Sequence, residues 1–154
     1  MASSDSVNAP GSDALRAFTD SSMLVAAALS ETGAAYAVFD FVREGKVVLF
    51  ASPYALDEAE RSLYRKNPGG LRAFWELRDQ LQLVDPTQEH IDEVAQTVEP
   101  KDAAIVAGAI AARARYLMTH DHRHLLNEAE SIRRLYGVEV VEPSTVLFLV
   151  RGLP

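Results

Sequence analysis

A chain of 154 residues, 48% of them hydrophobic, is large enough for one globular domain with its own core. The absence of cysteine excludes disulfides, thiolate metal sites and thiol nucleophiles, and it favours a cytoplasmic location. A formal net charge of -7 argues against a protein that coats nucleic acid over its whole surface. The first residues lack the pattern of a signal peptide, and the apolar run 23–29 is too short to cross a bilayer, so we expect no membrane partner.

The order of apolar and polar segments predicts an α/β fold. Residues 1–14 are rich in Ser, Asp, Pro and Gly and are expected to form a disordered tail, followed by a single domain over 15–154. The predicted strands are 16–19, 47–51, 81–84, 116–119 and 138–141. The predicted helices are 21–30, 34–45, 53–66, one from Leu71, 88–97, 100–113, 127–136 and 143–150. Strands that alternate with helices in this way predict a mainly parallel sheet with helices on both faces.

Four acidic residues stand close to the predicted strand ends. Asp20 and Asp121 follow the first and fourth strands, Glu58 lies early in the helix after the second strand, and Asp102 opens the helix 100–113. Ligands of an open parallel sheet bind outside the carboxyl ends of its strands, so we expect these side chains to meet there. Clustered carboxylates repel one another unless a cation lies between them, and Mg²⁺ and Mn²⁺ prefer oxygen ligands. The pattern therefore predicts a metal-dependent hydrolase.

Each acid also has an ordinary structural interpretation. Asp20 and Asp102 could cap the helices that they precede or open, because an acid at a helix start accepts from unpaired amides and complements the dipole. Asp121 could be a turn residue. Taken singly, each of these three is more often structural than functional. Because all of them lie close to predicted strand ends, a shared functional site is the better explanation.

The helix 53–66 contains two acids that border its apolar stripe on opposite sides, Glu58 and Glu60. Glu58 flanks that stripe, and Arg61 and Arg65 fall on the same flank. These arginines are candidates to bind substrate phosphates through bidentate hydrogen bonds. The alternative is a ladder of weak ion pairs on a solvated helix face.

Three of the four histidines lie within 119–124. His120, His122 and His124 alternate along the chain and could in principle share a transition-metal site, but a polar loop explains them better because ligand spacing on a loop is undirected. His124 precedes two leucines and is the one that we expect to be held in place and to contact a phosphate. The roles of the other two stay open.

Four stretches resemble the PIN domain, a family of metal-dependent ribonucleases that includes the VapC toxins of bacterial toxin–antitoxin pairs. They are FTDSSMLV at 18–25, SPYALDE at 52–58, KDAAIV at 101–106 and YLMTHD at 116–121. Singly these motifs are weak, but their order and spacing are fairly specific. Two positions depart from the family pattern: His120 replaces a common glycine, and Ser22 replaces an asparagine that is often found there.

The resemblance implies a three-layer α/β/α sandwich around five strands, and hydrolysis of RNA phosphodiester bonds. One or two Mg²⁺ or Mn²⁺ ions would be held by the four acids, with Asp20 as the central ligand. Ser22 and Thr119 would contact the metal ligands and orient them without binding the metal themselves. The resemblance also implies a homodimer and, for a toxin, an antitoxin protein that holds the enzyme inactive.

Two alternatives without nuclease activity remain. A phosphoacceptor receiver module is also α/β with acids at strand ends, but it normally needs adjacent acids after the first strand and a lysine near the site. Here Ser21 and Ser22 follow Asp20, and no lysine occurs after Asp102. A degenerate PIN fold that acts only as an interaction module is disfavoured because all four acids are present.

Overall fold

The computed structural model describes residues 13–120 and 125–152 and contains a five-stranded sheet in the order β3-β2-β1-β4-β5. The strands are β1 Leu15–Thr19, β2 Val47–Ala51, β3 Gln82–Leu83, β4 Tyr116–Met118 and β5 Glu139–Val141. The helices of the described residues are α1 Ser21–Leu29, α2 Ala34–Arg43, α3 Pro53–Lys66, α4 Leu71–Arg78, α5 Gln88–Val94, α6 Pro100–Ala111, α7 Ala129–Tyr136 and α8 Pro143–Arg151. Every strand pair is parallel, so the predicted fold class is confirmed.

Two apolar layers cover the two faces of this sheet. The first joins one face to α1, α2, α3, α4 and α8, and the second joins the other face to α5, α6 and α7. Adjacent residues of the central strand β1 face opposite layers. Ala17 packs in the first layer and Phe18 in the second, and both are fully buried. This alternation is the period of a strand with both faces covered, and it gives the predicted three-layer sandwich.

Local sequence sets where the central elements begin and end. All five residues of β2 are buried, and Ser52 then caps α3 by accepting a hydrogen bond from the Ala55 amide at 3.1 Å. Pro53 occupies the first turn, where its missing N–H is not needed. Helix α7 ends before Gly137, whose φ of 72° is a left-handed conformation that glycine adopts without strain.

The boundaries of most predicted elements differ from the structure by one to three residues, as three examples show. The helix predicted over 88–97 ends at Val94, and the segment predicted as a helix from 127 opens with a 3₁₀ turn over Leu126–Glu128. The strand predicted over 81–84 keeps only two residues, at the edge of the sheet. Most of the predicted tail, 1–12, lies outside the described residues.

No single helix in the described ranges is long and apolar enough to cross a membrane; only α1 and α2 together, bent by 93°, meet that test by length and composition.

Helix α6 lies very close to the central strand, and Gly108 makes this possible. A Cβ atom at Gly108 would lie 2.5 Å from the Cζ atom of Phe18, which is fully buried. The close approach matters for function because α6 also carries Asp102 in its first turn.

We predict that Gly108→Ala destabilises the protein. The gain in helix propensity, about 1 kcal/mol, offsets only part of the cost of overpacking a rigid core, up to about 3 kcal/mol, so the melting temperature should fall by up to about 8 °C. The matched control is Gly69→Ala, because an added Cβ there meets nothing within 4 Å. Equal melting temperatures for the two variants would show that α6 can move away from β1 without cost.

Candidate metal centre

Asp20 stands at the end of the central strand, and its side chain is 4% exposed. Its Oδ1 atom accepts hydrogen bonds from the Ser22 hydroxyl at 2.7 Å and the Met23 amide at 3.1 Å. Its Oδ2 atom accepts a hydrogen bond from the Thr119 hydroxyl, which comes from the end of β4. These three donors fix the orientation of the Asp20 carboxylate.

The supporting residues predicted for Asp20 are therefore next to it. Ser22 also accepts a hydrogen bond from the His120 amide at 3.1 Å, and its hydroxyl lies 3.5 Å from that of Thr119. Together these bonds connect the start of α1 to the chain just after β4. Although Ser22 replaces the asparagine often found in the family, its hydroxyl still contacts both Asp20 and the His120 amide.

Glu58 lies at the same edge of the sheet but is exposed to solvent. Its Oε1 atom accepts a hydrogen bond from Ser21 at 2.7 Å, and Ser21 is adjacent to Asp20 in sequence. Arg61 pairs with Asp57 at 3.1 Å, an exposed i,i+4 pair of the kind that the surface-ladder interpretation expected. Glu58 is thus tied to the beginning of α1 rather than to the arginines on its own helix.

Asp102 lies in the first turn of α6 and is 8% exposed. Helix α6 precedes β4 and runs back along the sheet, so its first turn lies towards the carboxyl ends of the parallel strands, where β1 also ends. Burial, and then the neighbouring Glu128 carboxyl, raise the pKa of Asp102 from 3.8 to about 6. Lys101 lowers this pKa by a smaller amount than burial and Glu128 raise it.

Two acids that the sequence did not single out lie beside Asp102. Glu99, Asp102 and Glu128 each have a carboxylate oxygen within 4.8 Å of the others, and they are the one such group of three acids in the described residues. Glu128 Oε1 accepts a hydrogen bond from the Glu99 amide at 2.9 Å. Glu99 and Asp102 are one helical turn apart, so the sequence could have suggested that they lie side by side. The sequence gives no such indication for Glu128, because only the tertiary fold brings it next to α6.

The structure does not test the complete set of predicted ligands. Asp20 and Glu58 lie at the predicted edge but outside the Glu99–Asp102–Glu128 group. Asp121 and His124 lie outside the described residues, so their roles stay predictions.

A groove of about 940 Å³ begins beside Glu58 and Ser21, the residue next to Asp20 in sequence. It is lined by Ser21, Ser22, Val25, Tyr54, Glu58, Glu60, Arg61, Ser62, Tyr64, Arg65, Leu71 and Trp75. Three of these are large exposed aromatics: Tyr54, Tyr64 and Trp75. Arginines and exposed aromatic rings along one groove are the side chains that bind single-stranded nucleic acid through phosphates and base stacking. The predicted substrate residues Arg61 and Arg65 therefore lie next to the candidate metal ligands.

We predict that Thr119→Val destabilises the chelator-treated protein by about 1–3 kcal/mol, because Asp20 Oδ2 then loses a donor that water cannot easily replace. Denaturant unfolding measures the change. Thr32→Val is the matched control: Thr32 is exposed, and its hydroxyl has only a 3.5 Å contact with Ser30, so a change within about 0.5 kcal/mol is expected. A Thr119 variant as stable as this control would mean that the hydroxyl does not support Asp20.

Comparisons with known proteins agree with this fold. A structure described as PAE2754 from Pyrobaculum aerophilum has a TM-score of 0.63 at 19% identity, over 92% of this chain and 94% of that one. The VapBC2 structure from Rickettsia felis, bound to a DNA fragment from their promoter, has a TM-score of 0.58 at 15% identity, over 82% and 97%. These likenesses show a shared fold, and no curated protein matches the sequence. A family model described as PIN domain matches residues 16–123, well over half of the sequence, and the chain therefore belongs to the PIN domain family.

Proposed function

We propose that this protein is a metal-dependent endoribonuclease of the PIN type. PIN domains are generally nucleases, which supports hydrolysis of a phosphodiester bond as the reaction class. The observation that carries the proposal is a pair of buried carboxylates, Asp20 and Asp102, at one edge of a parallel sheet. Burying an acid costs stability unless it is hydrogen-bonded, paired or bound to a cation, so two buried acids at the ligand-binding edge of a sheet mark a candidate functional site.

The residues present fit a hard divalent cation. The donors are carboxylate oxygens, and Asp102 Oδ2 is buried with no hydrogen-bond partner among the described residues. Asp20, Glu58 and Asp102 would hold Mg²⁺ or Mn²⁺, together with Asp121 as the sequence predicts. When bound, such an ion lowers the pKa of a coordinated water and stabilises negative charge on the phosphate.

The chain's own residues position these groups and the substrate. Ser22 and Thr119 hold both oxygens of Asp20, and Ser21 holds Glu58. Arg61 and Arg65 would contact backbone phosphates in the groove, while its aromatic rings stack on unpaired bases. A groove of this kind favours single-stranded RNA over a stiff duplex. His124 is proposed to contact a phosphate as well.

The proposal extends to the protein's setting in the cell. We place it in the cytoplasm as a homodimer, held inactive by an antitoxin protein encoded beside it. The fold shared with the VapBC2 structure supports the antitoxin partner. A small reading frame with a DNA-binding fold immediately upstream would be the genetic evidence for it.

We expect cleavage of single-stranded RNA in the presence of Mn²⁺ or Mg²⁺, and no cleavage in excess chelator. Asp20→Asn should lower kcat by about 100-fold or more, because it removes a charge that the metal and the transition state require. Asp40→Asn is the control, since Asp40 is an exposed acid on α2 that pairs with Arg43. Cleavage that persists in chelator, or an Asp20 variant as active as the control, would refute the proposal.

We expect the double variant Arg61→Gln and Arg65→Gln to bind RNA more weakly without slowing the chemical step. KM should rise about tenfold, the salt slope of binding should flatten by about 0.7 for each phosphate that is no longer neutralised, and the single-turnover rate at saturation should hold. The control replaces Arg115 and Arg133, which line a separate surface pocket, and changes the net charge equally. Equal effects of the two double variants would show that only net charge matters.

A further inference from the structure

Three acids from two separate segments converge beside the first turn of α6. Glu99 immediately precedes the helix, Asp102 lies in its first turn, and Glu128 arrives from the 3₁₀ turn before α7. Their ligand oxygens all lie within 4.8 Å of one another. The PIN resemblance points to Asp102 alone of these three, so Glu99 and Glu128 have no role yet.

A second observation is that two buried oxygens of this group receive no hydrogen bond from another group among the described residues, so that only a proton shared between the Asp102 and Glu128 carboxyls, or a cation, can pair them. Asp102 is more than nine-tenths buried, and its Oδ2 atom accepts no hydrogen bond from them. The Oε2 atom of Glu128 is likewise buried and unpaired, although its other oxygen accepts from the Glu99 amide. A buried carboxylate oxygen left without a donor is costly, because desolvation is not offset by a bond. Lys101 lies nearby, and its ammonium group contacts Glu99 at 3.6 Å.

The size of the group matches one hard cation. Mg²⁺ and Ca²⁺ hold oxygens at about 2.0–2.6 Å, so two ligands of the same ion are at most about 4–5 Å apart. Every pair of these oxygens lies within 4.8 Å, which is close enough for the three side chains to share one such ion. Three carboxylate oxygens, with no nitrogen or sulfur ligand, select magnesium, manganese or calcium over softer metals.

We propose that Glu99, Asp102 and Glu128 form a divalent-cation site that shares Asp102 with the metal centre described above. This inference rests on the proposed function for the second role of Asp102, and it adds two ligands that the family resemblance does not supply. A cation bound here connects the start of α6 to the turn before α7. It thereby fixes the buried side chain of Asp102 at the edge where the other acids lie.

The experiment is calorimetric titration of the metal-free protein with MnCl₂, with thermal melting in parallel. The test variants are Glu128→Gln and Asp102→Asn. Glutamine keeps an oxygen that can accept from the Glu99 amide, so the variant is expected to fold. The matched control is Glu130→Gln, because Glu130 is an exposed acid two residues away that pairs with Arg133.

We expect Glu128→Gln to weaken Mn²⁺ binding at least tenfold and to remove most of the rise in melting temperature that Mn²⁺ gives the wild type. Without metal, both test variants should melt at or above the wild-type temperature, since each removes one of two facing carboxylates. Glu130→Gln should bind Mn²⁺ like the wild type. Asp20→Asn should also retain one Mn²⁺ of wild-type affinity, because Asp20 is not in this group.

Two results would overturn the inference. If Glu128→Gln binds Mn²⁺ as tightly as the wild type, the facing carboxylates share a proton rather than a cation. If binding depends on Asp20 and not on Glu128, the metal lies wholly in the first centre, and the proposed nuclease stands without the second site. Mn²⁺ binding that depends on Glu128 in a protein that cleaves no RNA would instead keep this site and refute the proposed function.

Discussion

The carboxylate of Asp20 is the contact on which the arrangement of the site depends. It ends the central strand, caps α1 through the Met23 amide, and accepts from Thr119 at the end of the neighbouring strand. One side chain therefore fixes the relative positions of β1, α1 and the chain after β4. Because the strands are parallel and in register, every element that follows a strand begins near this point.

The structural and the functional interpretations of this acid are compatible. The sequence offered them as alternatives for Asp20, and the structure confirms the helix cap while leaving the metal role as a proposal. A cap needs only one carboxylate oxygen, and Asp20 has a hydroxyl donor on the other as well. Such extra support is not needed to begin a helix. It serves a carboxylate whose exact orientation matters, as that of a metal ligand does.

Much of the fold could be predicted from sequence because its signals are local. The continuous apolar run of β2 and the Ser52-Pro53 start of α3 specify their own structure, and the structure confirms both. The shortened β3 shows the opposite case, since an edge strand is defined by its one neighbour rather than by its own residues.

The site was less predictable for the same reason. Asp20 and Asp102 are marked by their positions after a strand and at a helix start, whereas Glu128 lies in a short 3₁₀ turn whose sequence looks like any solvated turn. Glu128 becomes a candidate ligand only through its position next to Asp102, which no local sequence pattern predicts. Likewise Arg61 pairs with Asp57, and only the folded surface shows that it also lines the groove.

The net charge of -7 is compatible with the proposed RNA substrate if the acids beside the groove hold cations. Acids concentrated at one edge of the sheet repel both one another and a phosphate backbone, so the metal-free protein is poorly suited to bind RNA. Divalent cations between those acids reverse the local field and relieve the repulsion in the same step. The groove with Arg61, Arg65 and the aromatic rings adjoins that edge, so substrate affinity and metal binding should be coupled. Under the proposed function, this protein would bind RNA most strongly where, and when, the metal is present.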